Sequence, residues 1–205
     1  VPEVSIAPAE TAAAREGPAL AVRKAVMGDV PQLLRLINSY AGQGIMLPRT
    51  EFEMAENLRD FTVVTADGAL AGCGALHLYT PTSGEIRSLA VAGEFQKCGA
   101  GRRLIAALEA EARALGLENV FAFTYIPAFF EKLAYKEIER GELPLKAWKD
   151  CLRCPKFQCC DETAVIKWVC ARGTRGSGTP IGGFAESGGG TGGEPARLPV
   201  VRSTH

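Results

Sequence analysis

The 205-residue chain carries no net charge, since 23 basic side chains balance 23 acidic ones. Nothing in its bulk electrostatics therefore points to nucleic acid or an anionic membrane as a partner. No apolar run approaches the roughly 18 to 20 residues that a membrane helix needs. Histidine is scarce: His77 and His205 stand far apart and offer no pair for a zinc site. Residues 1–18 lack a basic segment followed by an apolar core and contain Glu3, Glu10, Arg15 and Glu16, so they do not read as a secretory signal. Seven cysteines in a chain of this length are too sparse for a disulfide-stapled secreted scaffold. These absences lead us to expect a cytoplasmic protein with reduced thiols.

What is present is one domain between two biased segments. Residues 1–18 are rich in Ala, Pro and Glu without apolar periodicity and read as a disordered leader. From 171 to 205 glycine recurs among Ser, Thr and Pro, a composition that buries too little apolar surface to offset its ordering entropy. Residues 19–170 have the length of a single core. Within them strand and helix patterns alternate. Residues 19–26 read as a strand, and Asp29 as the N-cap of a helix carrying Leu33, Leu34, Leu36 and Ile37. A second helix is expected over 50–59, with Thr50 and Glu53 at capping-box spacing. Residues 61–66 and 70–79 flank the Asp67-Gly68 turn as a hairpin. A strand at 84–91, a helix at 102–115 closed by Gly116, a strand at 120–125, a short helix at 128–133 and a strand at 163–169 complete a mixed α/β pattern.

The most informative stretch runs from Ser88-Leu89-Ala90-Val91 through Gln96-Lys97-Cys98-Gly99-Ala100-Gly101 into an amphipathic helix. Unpaired N–H groups at a helix start, with glycines admitting a ligand to the backbone, form an anion site. The spacing fits neither the Walker nor the dinucleotide motif, which argues against ATP and NAD. Along the preceding strand the apolar positions are Ile86, then Leu89 and Val91. Their parity flips between Arg87 and Ser88, as one inserted residue would cause, unless the strand is buried on both faces. Gly72 and Gly74 suggest that something approaches the neighbouring strand closely.

These features resemble the GNAT superfamily of N-acetyltransferases. Gln96 to Gly101 is similar to its Gln/Arg-x-x-Gly-x-Gly/Ala loop, and Pro127-Ala128-Phe129-Phe130-Glu131-Lys132-Leu133 to its second characteristic helix. The resemblance implies a largely antiparallel mixed sheet, splayed at a bulged central strand and flanked by about four helices. It implies acetyl-CoA as cosubstrate, no metal requirement, and a possible homodimer. It would place the pantetheine arm along Leu89, Ala90 and Val91, and the phosphates on Gln96, Lys97, Cys98, Gly99, Ala100, Gly101 and Arg102. More narrowly, Leu47-Pro48-Arg49, Glu85 to Val91, Trp148-Lys149-Asp150-Cys151-Leu152-Arg153-Cys154-Pro155-Lys156-Phe157 and Cys160-Asp161-Glu162 resemble the short N-acetylglutamate synthases. That branch implies a small-molecule amine acceptor, L-glutamate, in the first step of arginine synthesis, without the kinase domain of the longer synthases. Another amine, a protein N-terminus, or a non-catalytic CoA- or metal-responsive module are the alternatives.

By that resemblance Glu85 is the general base for the amine. Many relatives have Tyr where this chain has Phe130, which has no proton to donate, so Tyr125 is the candidate acid. A dicarboxylate acceptor calls for bidentate cations. Arg49 and Arg87 are the candidates, with Lys146 behind them. His77 is an alternative base or a satisfied strand histidine. Cys151, Cys154, Cys159 and Cys160 offer enough thiolate for a metal in principle but lack a second CxxC, and buried thiols are the simpler reading. Trp148 and Trp168 read as core aromatics.

Overall fold

The computed structural model describes residues 18–143, 152, 156 and 160–170. The chain divides into two units, Val1–Thr174 and Arg175–His205, and every described residue falls in the first. Its strands are β1 (Leu20–Lys24), β2 (Phe61–Ala66), β3 (Ala69–Leu78), β4 (Ser83–Val91), β5 (Asn119–Thr124), β6 (Lys136–Glu137) and β7 (Thr163–Trp168). They form one sheet in the order β1-β2-β3-β4-β5-β7-β6. Every neighbouring pair is antiparallel except β4 with β5. Four helices flank it: α1 (Val30–Ala41), α2 (Glu51–Glu56), α3 (Ala100–Ala114) and α4 (Pro127–Glu131). This is the mixed, largely antiparallel architecture that the sequence implies. Among the described residues no helix is long and apolar enough to cross a membrane.

Local chemistry explains the element ends. Asp67 and Gly68 both take positive φ, 49° and 86°, as a two-residue turn matched to strand twist requires. At α2, Thr50 Oγ1 accepts from Glu53 N at 3.2 Å while Glu53 Oε2 accepts from Thr50 N at 3.0 Å, the expected reciprocal cap. The helix is shorter than the pattern over 50–59 predicts. It stops at Asn57 (φ −103°, ψ 14°), and Leu58–Asp60 form a separate 3-10 turn.

Asp29 also departs from expectation. It immediately precedes α1 but caps the preceding turn, Met27–Asp29, by accepting from Val26 N at 2.8 Å. Its carboxylate also takes Arg23 Nη1 and Nη2 at 2.6 and 2.8 Å. The Arg23 guanidinium holds its pKa below the usual carboxylate value.

Two cores lie on opposite faces of the sheet, which sorts the side chains of β3 and β4. On one face Val30, Leu33 and Ile37 of α1 and Met54 of α2 pack on Val63, Cys73, Ala75 and Ala90. On the other, Ile105, Leu108 and Ala112 of α3 and Phe130 of α4 pack on Leu76, Ile86, Val120, Ala122 and Val165. Buried Glu109 ties α3 to β7, accepting from Lys167 Nζ at 2.8 and 2.9 Å and from Arg113 Nη2 at 3.0 Å. Trp168, expected in the core, ends β7 at 47% exposure. Trp148, Lys146, Cys151, Cys154, Cys159, the leader up to residue 17 and the tail lie outside the described residues.

Candidate active site

The parity break in β4 is a bulge. Cys73 faces Ala90 and Ala75 faces Arg87, so Gly74 alone spans Ser88 and Leu89. Ser88 absorbs the extra residue at φ 52°, a left-handed conformation that a non-glycine residue holds only under strain. As a result Ile86, Leu89 and Val91 all pack on the α3 side despite their mixed parity. The close approach inferred from Gly72 and Gly74 comes from this bulge and, at Gly74, also from Leu108 of α3, whose Cδ1 would lie 3.1 Å from a Cβ. A Cβ on Gly72 would sit 2.7 Å from Ala90 O, and one on Gly74 would sit 3.2 Å from Leu89 Cδ1. Beneath it the Cys73 thiol lies 3.6 Å from Ser88 O, fully buried, and burial pushes its pKa up to about 12. It is therefore not a nucleophile at neutral pH.

The sheet opens just ahead of the bulge. The β4–β5 register runs Ser83↔Asn119, Gly84↔Val120, Glu85↔Phe121 and then ends. On the other side β4 stays paired with β3, and Ala92 N donates to Ala71 O at 2.9 Å. Antiparallel alternation then turns the N–H and C=O groups of Leu89 and Val91 away from β3, toward the gap that β5 leaves. The geometry suits an extended chain carrying its own amides.

The strand leads through the 3-10 turn Gly93–Phe95 into the loop ahead of α3. Lys97 and Gly99 take positive φ, 64° and 93°, and α3 begins at Ala100. The first amide to close a helical turn is that of Arg103, to Gly99 O at 3.1 Å, so the N–H groups of Ala100, Gly101 and Arg102 precede the ladder. A Cβ on Gly99 would meet nothing within 4 Å, while one on Gly101 would meet Phe129 Cζ at 3.3 Å. Gly99 thus borders open space, and Gly101 admits α4 to the helix start. Cys98 Sγ donates to Phe95 O at 2.8 Å, and the Lys97 and Arg102 side chains are exposed. Helix-start amides, an open glycine and two cations fit a pyrophosphate. Gln96 is turned elsewhere: its N–H goes to Gly93 O at 3.3 Å and its Nε2 to Tyr40 Oη at 3.0 Å.

On the α1 side of the sheet, next to where β4 and β5 part, lies a polar cluster. Glu85 is 8% exposed, so it is not a solvated edge charge. Its cross-strand neighbour is His77, and Arg87 follows two residues on along the same face. His77 Nδ1 lies 2.7 Å from Asp60 Oδ2 and 3.0 Å from Arg87 Nη2. One nitrogen can donate to Asp60 or accept from Arg87, so its tautomer couples the three side chains. The Arg87 side chain is only 12% exposed, which removes it from the class of surface cations. His77 stacks edge-on against Tyr79 at 5.0 Å, and Tyr79 packs on Phe121 at 5.8 Å, giving the cluster an aromatic floor.

The remaining candidates lie on other elements. Arg49 is held by α1: Asn38 Oδ1 accepts from Arg49 N and Asn38 Nδ2 donates to Arg49 O, both at 2.9 Å. Phe130 lies on the opposite face, buried edge-on against Phe129 and Tyr135. Tyr125 follows β5, where its Oη accepts from Lys156 Nζ at 3.2 Å. The same ammonium lies 4.8 Å from the Tyr125 ring centroid. Burial raises the Tyr125 pKa above its ordinary value, so the phenol keeps its proton at neutral pH. Asp60, Tyr40 and Lys156 were not singled out in the sequence. Among the described residues no group of three or more His, Cys, Asp or Glu is placed to hold a metal ion.

The model of the acetyltransferase (GNAT) family matches residues 31–135, from the second residue of α1 to the residue before β6. The chain belongs to the acetyltransferase (GNAT) family. It is similar to an uncharacterized N-acetyltransferase of Chlorobaculum tepidum, 43% identical over 146 residues, covering 71% of this chain and 94% of that one. It is also similar to the amino-acid acetyltransferase of Mycobacterium tuberculosis, 36% identical over 121 residues, covering 58% of this chain and 69% of that one. Among solved structures it resembles N-acetylglutamate synthase from Neisseria gonorrhoeae complexed with coenzyme A and N-acetyl-glutamate. There the TM-score is 0.69 at 27% identity, over 76% of this chain and 36% of that one, so the chain spans about a third of that relative's length. The protein is accordingly an acyltransferase, a GNAT N-acetyltransferase.

Proposed function

We propose that residues 19–170 form a unit that transfers an acetyl group from acetyl-CoA directly to the amine of L-glutamate, making N-acetyl-L-glutamate. The observation that carries this reading is that buried Glu85 and half-buried Arg87 share one face of β4 where its pairing with β5 ends. Similarity to proteins named amino-acid acetyltransferase supports it. In this reading the arm of the cosubstrate lies along Leu89, Ala90 and Val91, and its phosphates meet the loop from Lys97 to Arg102. Glu85 takes a proton from the ammonium, directly or through one water, and the neutral amine attacks the thioester carbonyl. The C–N bond forms and the C–S bond breaks. Backbone N–H groups at the bulge stabilise the carbonyl oxygen as charge develops. The nitrogen loses its second proton to solvent as the amide forms. The thiolate, a good leaving group since a thiol has a pKa of about 8.5, takes a proton from Tyr125, the protonated phenol that follows β5 and is reprotonated from solvent. Arg87 takes the side-chain carboxylate and Arg49 the second carboxylate.

Arg87→Ala is the experiment that tests the acceptor assignment. Removing a buried carboxylate partner costs about 2 to 5 kcal/mol. The KM for L-glutamate should therefore rise at least about 30-fold, while the KM for L-leucine and for acetyl-CoA changes little. Equal effects on glutamate and leucine would assign Arg87 to the scaffold.

A further inference from the structure

Tyr40 ends the apolar face of α1 and carries no motif, yet its hydroxyl joins two parts of the cosubstrate site. It donates to Val91 O at 2.6 Å and accepts from Gln96 Nε2 at 3.0 Å. Val91 is the last residue of β4, on the stretch that faces the gap, and Gln96 opens the loop that leads to the helix-start amides. The Tyr40 ring packs against the core of Leu33, Ile37 and Ala90, so the position of the hydroxyl is set by close packing.

We propose that Tyr40 is a positioning residue for CoA, acting through Val91 and Gln96. The inference rests on the placement of the arm and phosphates proposed above. The hydroxyl occupies the Val91 carbonyl and leaves the Val91 N–H to meet a carbonyl of the pantetheine arm. By accepting from Gln96 it anchors the loop where it leaves the strand. The arm site and the pyrophosphate site are thereby held at a fixed separation before CoA arrives, which removes ordering cost from binding. The Gln96 side chain serves as the second half of this relay rather than as a phosphate ligand.

Calorimetry with CoA on the wild type, Tyr40→Phe, Gln96→Ala and the double variant tests the relay. Tyr40→Phe removes one oxygen atom, and Gln96 is an exposed residue, so the second single variant reports even where the first folds poorly. Each single change should weaken CoA binding about five- to tenfold. The double variant should be scarcely weaker than either single one, because both break the same chain of bonds. In turnover, the KM for acetyl-CoA should rise in step while the KM for the acceptor stays put. Single variants within twofold of the wild type, a lower Tm with unchanged CoA affinity, or single effects that multiply in the double variant would each overturn the relay. A wild type that binds no CoA would overturn the placement of the arm and the relay with it.

Discussion

Glu85→Gln is expected to lower kcat about 100- to 1,000-fold while leaving the KM for acetyl-CoA within a factor of two. The size follows from the role. A positioned general base contributes on the order of 10² to 10⁴ in rate, and a glutamine of the same shape cannot take the proton. The buried side chain is flanked by His77 across the strand pair and by Phe121 on β5, so the substitution preserves volume and leaves a residue that still hydrogen-bonds. The test is a steady-state comparison across pH. A variant slow at neutral pH that recovers as pH rises, when the free amine becomes abundant in solution, identifies Glu85 as the group that makes the amine neutral. A variant as fast as the wild type would leave His77 as the base. Its Nδ1 is engaged with Asp60 and Arg87, so Nε2 is the atom that would then take the proton.

Gly99→Val is expected to weaken CoA binding at least about 100-fold. Two causes act together. At φ 93° a β-branched residue is strained, and its side chain would project into the open space beside the helix-start amides. Losing two charge-assisted hydrogen bonds to phosphate at about 1.5 to 3 kcal/mol each accounts for that factor. S-acetylpantetheine separates the causes, because it carries the arm and thioester but no pyrophosphate. Its turnover should survive Gly99→Val while turnover of acetyl-CoA collapses. Parallel loss of both would mean that the substitution distorts β4, and unchanged CoA affinity would remove the loop assignment.

Much of the proposed cosubstrate site is legible in the sequence because it is made of backbone. A bulge leaves a parity break at Ile86, Leu89 and Val91, and a ligand-facing helix start leaves glycines at fixed spacing. The structure bears out the bulge through Ser88 at φ 52° and the left-handed Gly99 before α3. The acceptor side is legible only in part. Glu85 and Arg87 share a face by simple alternation, but their burial depends on what covers that face. Part of the cover on Arg87 is Asp60, which lies just past the helix expected over 50–59. The break at Asn57 that redirects it is a non-helical backbone conformation with no strong sequence marker. Asp29 shows the same limit on a smaller scale: its position before α1 is right for a cap, yet Arg23 and Val26 claim its carboxylate. Tyr40 was missed because an aromatic at helical spacing reads as core. Its ring does pack there, while its hydroxyl acts 51 residues away in sequence.

The most direct test of the central claim is to incubate the full chain with acetyl-CoA and an equimolar mixture of L-amino acids and to identify the products by mass spectrometry. A thiol-reagent assay would be confounded by the seven cysteines. The account predicts N-acetyl-L-glutamate as the dominant product, with little acetylation of L-leucine. A different acetylated amine as the dominant product, or an even spread across the mixture, would contradict it.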